Sequence, residues 1–553
     1  MIQRLSRRLL ATVCFALLLA SLLRAQSPQA TISGIITDPT GAIVPGVQVT
    51  ALSRTTGQHT TATSNGEGFF VLTQLPIGDY TIEAEKRGFR KYVRRELTLT
   101  TGATVALDIQ LEVGQASDTV TVTGEAPLLQ TRTSEVGQLI ESRTVQDLPL
   151  GDRRTLNVVR TIGGAAFVSY DSGAKPNFSL AGGRTQSQMF WIDGGSGQNM
   201  RLGIGQVDID PPVETVQEVK ILSNNYAAEY GGSAGGVIIA TTKSGGNDFH
   251  ASLFEYFRND ALDAANFFAP VVNGRKVKAP LRYNVFGGTI GGPVWFPEKA
   301  FGPLGYQGKN KTFFFAAYEG GRRSEGQTRT LTVPTLLQRA GDFSETRNAA
   351  GAVIAIYDPA TTRIEGGRAV RTPFAGNKIT TGRLDPVALK LLDAYPLPNR
   401  APDNITGANN FSGNFARVLT RDNYIAKVDH NLTDRDKFNF RYLYNSDNLG
   451  FTSVFPIPAA ETNTSALRHQ NYFYVGYTRV ISATIINEMR YTYSNRINHE
   501  QAYGLGEPWP SRLGLRGVPD DAFPQFKRRG HYDDWRGHAR ASPAPDPTAP
   551  VRQ

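Results

Sequence analysis

The spacing of histidine, cysteine and carboxylate residues gives this chain little material for metal or nucleophilic chemistry. A zinc hydrolase needs His and Glu ligands at short spacing, usually an H-x-x-E pair, together with a distant third His. None of His59, His250, His430 or His469 is followed by Glu three residues later. The sole cysteine, Cys14, lies within an apolar N-terminal run, which excludes disulfides and thiolate metal sites from the rest of the chain. We therefore predict no enzyme activity, no cofactor and no metal site.

The charged residues that stand out belong instead to a glycine-rich stretch, residues 178–246. It contains an apolar run at 189–192 that ends in a turn, and a segment at 212–221 that begins with a helix-start signal and passes into a strand. A buried-looking run follows at 237–242. Glycine is used this densely where backbones pack closely or adopt positive φ. The residues of interest are Gly183, Arg184, Asp193, Gly194, Glu214, Glu218, Lys220, Tyr230, Gly231, Gly232, Gly235 and Gly236.

At these residues the chain resembles the plug domain of TonB-dependent outer-membrane receptors, more narrowly the Oar-like group. The motifs are D-G at 193–194, the E-x-V strand from 214, and Y-G-x-x-x-G-G-V-I at 230–238. The resemblance implies that residues 128–246 form a small α/β plug inside a barrel. It also implies that Arg184, Asp193, Glu214, Glu218 and Lys220 form pairs that hold or release this plug; Ala181 replaces an arginine usual in the family, which removes one partner. A small soluble α/β domain with a glycine-rich hairpin is the alternative.

The location of the positive charge argues against a nucleic-acid partner. The formal net charge is +10, but residues 1–25 hold four arginines, and residues 527–553 hold six basic against three acidic residues. The remaining body of the chain is close to neutral and has no excess with which to neutralise phosphates.

The N-terminus predicts export. Residues 1–25 combine a basic start, an apolar run and a small residue at Ala25, which is typical of a signal peptide; an uncleaved anchor is the alternative. No later stretch is apolar for the ~20 residues that a spanning helix needs. A membrane location would therefore require a β-barrel.

Residues 30–112 predict a β-sandwich, because about seven short strand signals are separated by Gly, Pro and Asn turns. Residues 34–47 and 63–80 resemble carboxypeptidase regulatory-like domains. That fold group is often classed as carbohydrate-binding-like, but no aromatic platform here indicates a sugar. An accessory periplasmic domain is favoured over a dedicated sugar-binding module.

Residues 114–127 form a short linker with a β-branched centre that can be extended without belonging to a neighbouring core. It resembles the TonB box, which in this family pairs as an added strand with the periplasmic energy-coupling protein. The alternative is a last sandwich strand or a plain linker. The candidate box residues are Asp118, Thr119, Val120, Thr121, Val122, Thr123 and Gly124.

Residues 247–526 predict the first strands of a transmembrane barrel. Seven strand signals are present, and two alternate cleanly between aromatic and polar residues, at 438–445 and 488–494. Apolar side chains outward and polar side chains inward are typical of outer-membrane barrels, and the tyrosines suit interfacial girdles. Residues 322–421 predict a long outer loop, where ligand recognition belongs.

The predicted fold class is mostly β: an N-terminal β-sandwich, a small α/β plug domain, and the first strands of an incomplete antiparallel β-barrel. Seven strands are too few for the full barrel of the family, so we expect a fragment or an interrupted reading frame. Residues 527–553 are expected to be a disordered, out-of-frame tail.

The predicted function is that of an outer-membrane TonB-dependent receptor importing an unknown large solute, with its N-terminal domain in the periplasm. Its partners would be the TonB-type coupling protein and outer-membrane lipid. The alternative is an Oar-like surface adhesion or cell-envelope structural protein without transport.

Overall fold

The protein is mostly β-structure, and the predicted fold class is confirmed. The sequence intervals predicted as signal peptide (1–25) and tail (527–553) lie outside the described residues. The computed structural model describes residues 29–524 except 115–118, 123–134, 171–175, 199–208, 228–229, 231–233, 266, 268–270, 273–274, 277, 453, 456–463, 483–484 and 503–504.

The N-terminal part is a sandwich of two sheets that share one apolar core. Its strands are β1 (Ala30–Thr37), β2 (Gln48–Ser53), β3 (His59–Thr63), β4 (Phe69–Leu75), β5 (Gly78–Glu85), β6 (Lys91–Leu99), β7 (Thr104–Ala106) and β8 (Ile109–Gln110). One sheet has the order β4-β1-β7, with β8 also paired to β1, and the other contains β3-β2-β5-β6. Along β5, Tyr80, Ile82 and Ala84 are buried at every second position, as expected of a strand with one covered face.

A further strand, β9 (Thr119–Val122), extends the second sheet beyond β6. It runs parallel to β6, with Lys91 opposite Thr119 and Arg94 opposite Val122. This strand is the centre of the predicted TonB box; Asp118, Thr123 and Gly124 lie outside the described residues.

Residues 135–242, the central α/β domain, are built around a five-stranded sheet. Its elements are β10 (Val136–Glu141), α1 (Ser142–Asp147), a 3₁₀ segment (Thr155–Thr161), β11 (Ala165–Tyr170), β12 (Pro176–Leu180), β13 (Met189–Ile192), β14 (Gly195–Ser196), a 3₁₀ turn (Val213–Thr215), β15 (Val216–Asn224) and β16 (Val237–Thr242). The sheet order is β10-β15-β16-β13-β14, and β11 pairs with β12 as a separate hairpin. All six residues of β16 are buried, because this apolar strand lies inside the sheet and is covered on both faces.

Seven antiparallel strands follow, and we call them the strand wall. They are β17 (His250–Asn259), β20 (Leu281–Pro293), β23 (Thr312–Leu331), β26 (Phe411–Asn431), β27 (Asp436–Phe451), β28 (Thr464–Val480) and β29 (Ile486–Ala502), adjacent in that order. The sheet is not closed within the described residues. Short elements between these strands are β18 (Val271–Val272), β19 (Arg275–Lys276), β21 (Trp295–Phe296), α2 (Glu298–Phe301), a 3₁₀ turn (Gly302–Leu304) and β22 (Tyr306–Gln307).

The predicted alternation holds along β27. Phe438 and Phe440 are 41% and 40% exposed, whereas Arg441, Leu443 and Asn445 are buried on the opposite face. The buried face of the wall packs against the central domain, since the two share one apolar cluster. Polar side chains at alternate positions are therefore directed towards that domain.

The predicted bounds of the outer loop were wrong at both ends. Residues 322–331 continue β23, and residues 411–421 open β26. The prediction rested on the polar, Pro- and Gly-containing character of the whole connection, which its two strand ends share only in part: Phe411, Phe415 and Leu419 are buried on one face of β26.

The described residues within 329–413, 454–455 and 502–524 belong to a second compact unit. Its described part holds a small apolar cluster of Val333, Phe411 and Phe455, with Trp509 packed against it. The connection predicted as a polar loop is therefore folded. Its elements are α3 (Leu336–Arg339), β24 (Arg363–Glu365), β25 (Arg368–Val370), α4 (Pro386–Ala394) and α5 (Trp509–Leu513), with 3₁₀ turns at Pro359–Thr361, Ala375–Asn377 and Thr381–Arg383.

Candidate functional site

A tight turn presents Asp193 to the strand wall. β13 ends at Ile192, and Asp193 and Gly194 both have positive φ, 51° and 86°. Two consecutive residues of this kind form the two-residue connection of a β-hairpin, for which Asp-Gly is a preferred sequence. The pairing of Ile192 with Gly195 closes this hairpin. The Asp193 carboxylate is consequently held at the outermost hairpin of the central sheet.

The Asp193 carboxylate is enclosed by two cations of the wall and one threonine of its own domain. Its oxygens lie 3.2 Å from Nε of Arg441 and 4.0 Å from Nζ of Lys427. The backbone N–H and the hydroxyl of Thr242 donate to them at 2.9 and 2.6 Å. Arg441 also donates to the backbone carbonyl of Asp193 at 3.1 Å. The side chain of Asp193 is only 1% exposed, so this cluster joins the central domain to the wall in a water-poor setting.

Charge and hydrogen bonding keep Asp193 ionised despite its burial. Burial alone would raise the pKa of this carboxyl group, but Arg441, Lys427 and the two donors of Thr242 outweigh it and leave the pKa below its ordinary value. The contact is therefore a true ion cluster at neutral pH.

A second buried cluster is centred on Arg154 of the central domain. Its guanidinium lies 3.5 Å from a carboxylate oxygen of Asp447, which belongs to β27. Asp152 and Asp210, from its own domain, lie at 3.8 and 4.0 Å. The Arg154 side chain is 2% exposed, so these nearby carboxylates balance a buried charge. This cluster provides a second charged contact between the domain and the wall.

Glu214 ties the central domain to the first strand of the wall. Arg153 donates to its carboxylate at 2.7 Å, and the hydroxyl of Tyr256 on β17 donates to the same oxygen at 2.8 Å. The Arg153 guanidinium also lies over the Tyr256 ring, 3.6 Å from its centre, in a cation–π contact.

Glu218 faces the sandwich and not the wall. It accepts a hydrogen bond from the backbone N–H of Thr101, and the Thr101 hydroxyl is 2.7 Å from that of Thr241. The neighbouring Lys220 pairs with Glu135 at 2.9 Å. The turn after β6 is thus seated on the central sheet.

The Glu218 contact should make stability depend on pH. Burial raises the pKa of Glu218, although the hydrogen bonds from Thr101 and the charge of Lys220 oppose the rise. A carboxyl group with a raised folded-state pKa binds more protons when folded, so its contribution to stability is present at low pH and is lost as pH rises. We expect Glu218→Gln to raise the thermal midpoint of the full chain in detergent at pH 8 and to leave it unchanged near pH 4. Glu67→Gln, at an exposed turn, is the control, and a pH-independent difference for Glu218→Gln would contradict the prediction.

Gly235 and Gly236 lie where side chains do not fit. A Cβ atom on Gly235 would be 2.0 Å from Oγ of Ser187. Gly236 has φ of +96°, and a Cβ there would be 2.8 Å from the backbone oxygen of Leu222. Close strand packing therefore accounts for this glycine pair, and Tyr230 is buried nearby in the same region. Gly231 and Gly232 lie outside the described residues.

We expect Gly235→Val and Gly236→Val each to destabilise the folded chain by about 2–3 kcal/mol, because the backbone must move apart. Gly163→Val is the matched control, since a Cβ at Gly163 meets no atom within 4 Å. Thermal melts of the three variants test this. Equal midpoints for all three would mean that the glycine pair is only a flexible connection.

Arg184 lies in the central domain, but the pairing predicted for it is not seen. Its side chain is exposed in the turn after β12, and it forms no ion pair among the described residues. Gly183, beside it, is closely packed, since a Cβ there would lie 3.2 Å from the Cα of Gly235. Of the predicted charged residues, the structure therefore places only Asp193 and Glu214 against the wall.

Sequence reasoning missed Arg154, Asp447 and the wall cations Arg441 and Lys427 as partners of the central domain. Part of this could have been read from the sequence. Arg441 and Asp447 lie at the alternate positions of β27 whose side chains face the central domain. Among the described residues, no group of His, Cys, Asp or Glu is arranged to hold a metal ion, and no helix is long and apolar enough to cross a membrane.

An α/β domain seated by buried ion clusters against an antiparallel wall with an outward aromatic face defines the class of outer-membrane barrel proteins. The chain belongs to the outer membrane beta barrel domain family, whose match covers residues 241–538. Residues 31–112 match the carboxypeptidase regulatory-like domain. The predicted location in the outer membrane is thereby confirmed.

The chain is also similar to known transporters. It is 28% identical over 299 residues to the TonB-dependent transporter Oar of Myxococcus xanthus, an alignment covering 52% of this chain and 26% of that protein. The chain therefore spans about a quarter of that relative's length.

Two solved structures are similar at lower identity. A ferric enterobactin receptor of Pseudomonas aeruginosa in complex with enterobactin is 13% identical, with a TM-score of 0.37, covering 70% of this chain and 44% of that one. The outer membrane transporter YddB of Escherichia coli is 12% identical, with a TM-score of 0.36, covering 65% and 38%.

Proposed function

We propose that this chain is the plug-bearing part of an outer-membrane TonB-dependent receptor, which takes up an unidentified large solute by energy-coupled rearrangement of the plug. The central α/β domain is the plug in this proposal. The observation that carries it is the Asp193 cluster, in which two wall cations hold a buried carboxylate of the domain.

Buried ion clusters suit a plug that must remain in place until it is pulled. A buried charge that has lost its partner costs about 3–5 kcal/mol, so separating the groups while the contact stays dry is unfavourable. Once water enters, however, the separated charges are hydrated, and the contact can form again without a change of covalent structure. The contact between the central domain and the wall is thus stable but reversible, as a transport cycle requires.

The sheet order indicates which part of the plug would move first. The segment that resembles the TonB box precedes β10, and β10 lies at one edge of the five-stranded sheet. The Asp193 hairpin, β13 and β14, lies at the other edge and is held by Arg441 and Lys427. A pull from the periplasm would therefore peel β10 from β15 while the far edge stays on the wall.

Removing residues 118–124 tests the proposal. In the full chain refolded in detergent, this deletion should abolish binding of the C-terminal domain of the TonB-type coupling protein, measured by calorimetry. A deletion of equal length within the exposed hairpin at 363–370 is the control and should bind as the unaltered chain does. Undiminished binding after the first deletion would favour the Oar-like adhesion or structural role.

A further inference from the structure

The open edge of β6 acts as a docking surface for a strand, and its occupant is β9 of the same chain. We propose that the sandwich sequesters the TonB-box segment, so that the sandwich and the coupling protein compete for one strand. This inference rests on the proposed function, because competition requires that residues 118–124 are the box.

The pairing is defined residue by residue. Lys91, Tyr92, Val93 and Arg94 of β6 face Thr119, Val120, Thr121 and Val122 in turn, with both strands running in the same direction. The opposite edge of β6 is filled by β5, so β9 occupies the edge that β6 would otherwise expose. Unpaired strand edges readily accept an extended β-branched peptide, and the T-V-T-V sequence of β9 is of that kind.

The position of the sandwich explains why docking opposes coupling. Thr101, at the end of β6, donates to Glu218, and the carbonyl of Thr55 accepts from the backbone N–H of Asn247 at the start of the wall. The sandwich is thus fastened to the central domain and to the wall. A pull on β9 while it lies on β6 is borne by these contacts and does not reach β10. For the pull to reach the plug, β9 must first leave β6.

The docked state is also weak enough to be reversible. β9 has only four residues, it pairs in parallel, and parallel ladders are slightly less stable per residue than antiparallel ones. A coupling protein that offers a longer strand edge can therefore displace it. The apparent affinity of the coupling protein for the chain then equals its intrinsic affinity multiplied by the fraction of chains in which β9 has left β6.

A reversible disulfide across β6 and β9 tests the inference in the full chain. Arg94→Cys with Val122→Cys joins residues that are direct partners, in a background that carries Cys14→Ser. Arg94→Cys with Val120→Cys is the control, since two residues of offset place the Cα atoms about 8 Å apart, too far for a bridge.

We expect the matched pair to oxidise and the offset pair to remain reduced. The oxidised matched chain should bind the coupling protein's C-terminal domain about tenfold more weakly or worse than the same chain after dithiothreitol. Because Val122 belongs to the candidate box, the affinity of the reduced chain is compared with that of Val122→Cys alone. Failure of the matched pair to oxidise would overturn the inference while leaving the proposed function standing. Equal binding in both redox states would also overturn it, since the coupling protein would then add to the outer edge of β9. If the unaltered chain did not bind the coupling protein's C-terminal domain, the proposed function would fail, and the inference with it. If the unaltered chain bound but Val122→Cys alone did not, oxidation of the matched pair and not of the offset pair would decide the inference.

Discussion

Replacing Asp193 with alanine is expected to destabilise the folded chain by about 3–5 kcal/mol, because the buried Arg441 and Lys427 then lose their ion-pair partner. The two donors of Thr242 lose their acceptor in the same step, which adds to the loss. Asp193→Asn should be less harmful, since its amide oxygen still accepts one hydrogen bond while the charge is gone.

Fluorescence can show whether the loss of stability in Asp193→Ala begins at the hairpin that carries this residue. Trp191 lies two residues before Asp193 and is half-buried, so its fluorescence reports on this hairpin in a background in which Trp295, Trp509 and Trp535 are replaced by phenylalanine. We expect the Asp193→Ala variant to lose the folded Trp191 signal at a lower urea concentration than the unaltered chain. Asp434→Asn, which alters an exposed contact with His59 in a tight turn, is the control and should change stability by at most about 0.5 kcal/mol.

The difference in stability between the unaltered chain and Asp193→Asn should depend on pH in a defined direction. Because the folded-state pKa of Asp193 lies below its ordinary value, its contribution is complete above the ordinary range of a carboxyl group. It is lost as pH falls through the folded-state pKa. The unaltered chain should therefore lose its advantage over Asp193→Asn on acidification. An advantage that persisted at very low pH, or the absence of any advantage at pH 7, would show that the cluster does not hold the domain.

The sequence predicted which face of a strand is covered, but it did not predict which charged residues pair with one another. The alternation of Phe438, Phe440 and their neighbours predicted which side of β27 is covered, because period-two patterning depends only on the local strand. The role of Asp193 as a pairing residue came from a family resemblance, yet Arg441 and Lys427 were not foreseen as its partners. Those contacts depend on how the central domain docks on the wall, which local patterns do not encode.

Two other outcomes have the same cause. Arg184 was predicted to pair, but the turn after β12 leaves it exposed, whereas Arg154 of the same domain has a buried guanidinium. Residues 322–331 and 411–421 were predicted as loop because they belong to a long polar connection that carries Pro and Gly. Backbone pairing with adjacent strands, which is independent of side-chain polarity, makes them strands.

Replacing Arg154 with methionine is expected to produce a loss of similar size, about 3–5 kcal/mol, since three buried carboxylates would lose their shared cation. Methionine keeps much of the volume of the side chain, so the loss reflects charge and not a cavity. Arg154→Lys should recover only part of it, because an ammonium group cannot reach Asp152, Asp210 and Asp447 with the geometry of a planar fork.

A double-mutant cycle then separates docking from internal folding of the domain. Asp447 is the only one of the three carboxylates that belongs to the wall, so Asp447→Asn removes the contact between domain and wall while leaving Asp152 and Asp210 paired with Arg154. We expect Arg154→Met with Asp447→Asn to be less destabilising than the sum of the single changes, by about 1–3 kcal/mol in urea titrations. Strict additivity of the two changes would mean that Arg154 stabilises the interior of the domain alone, and the Asp193 cluster would then remain as the charged seat on the wall.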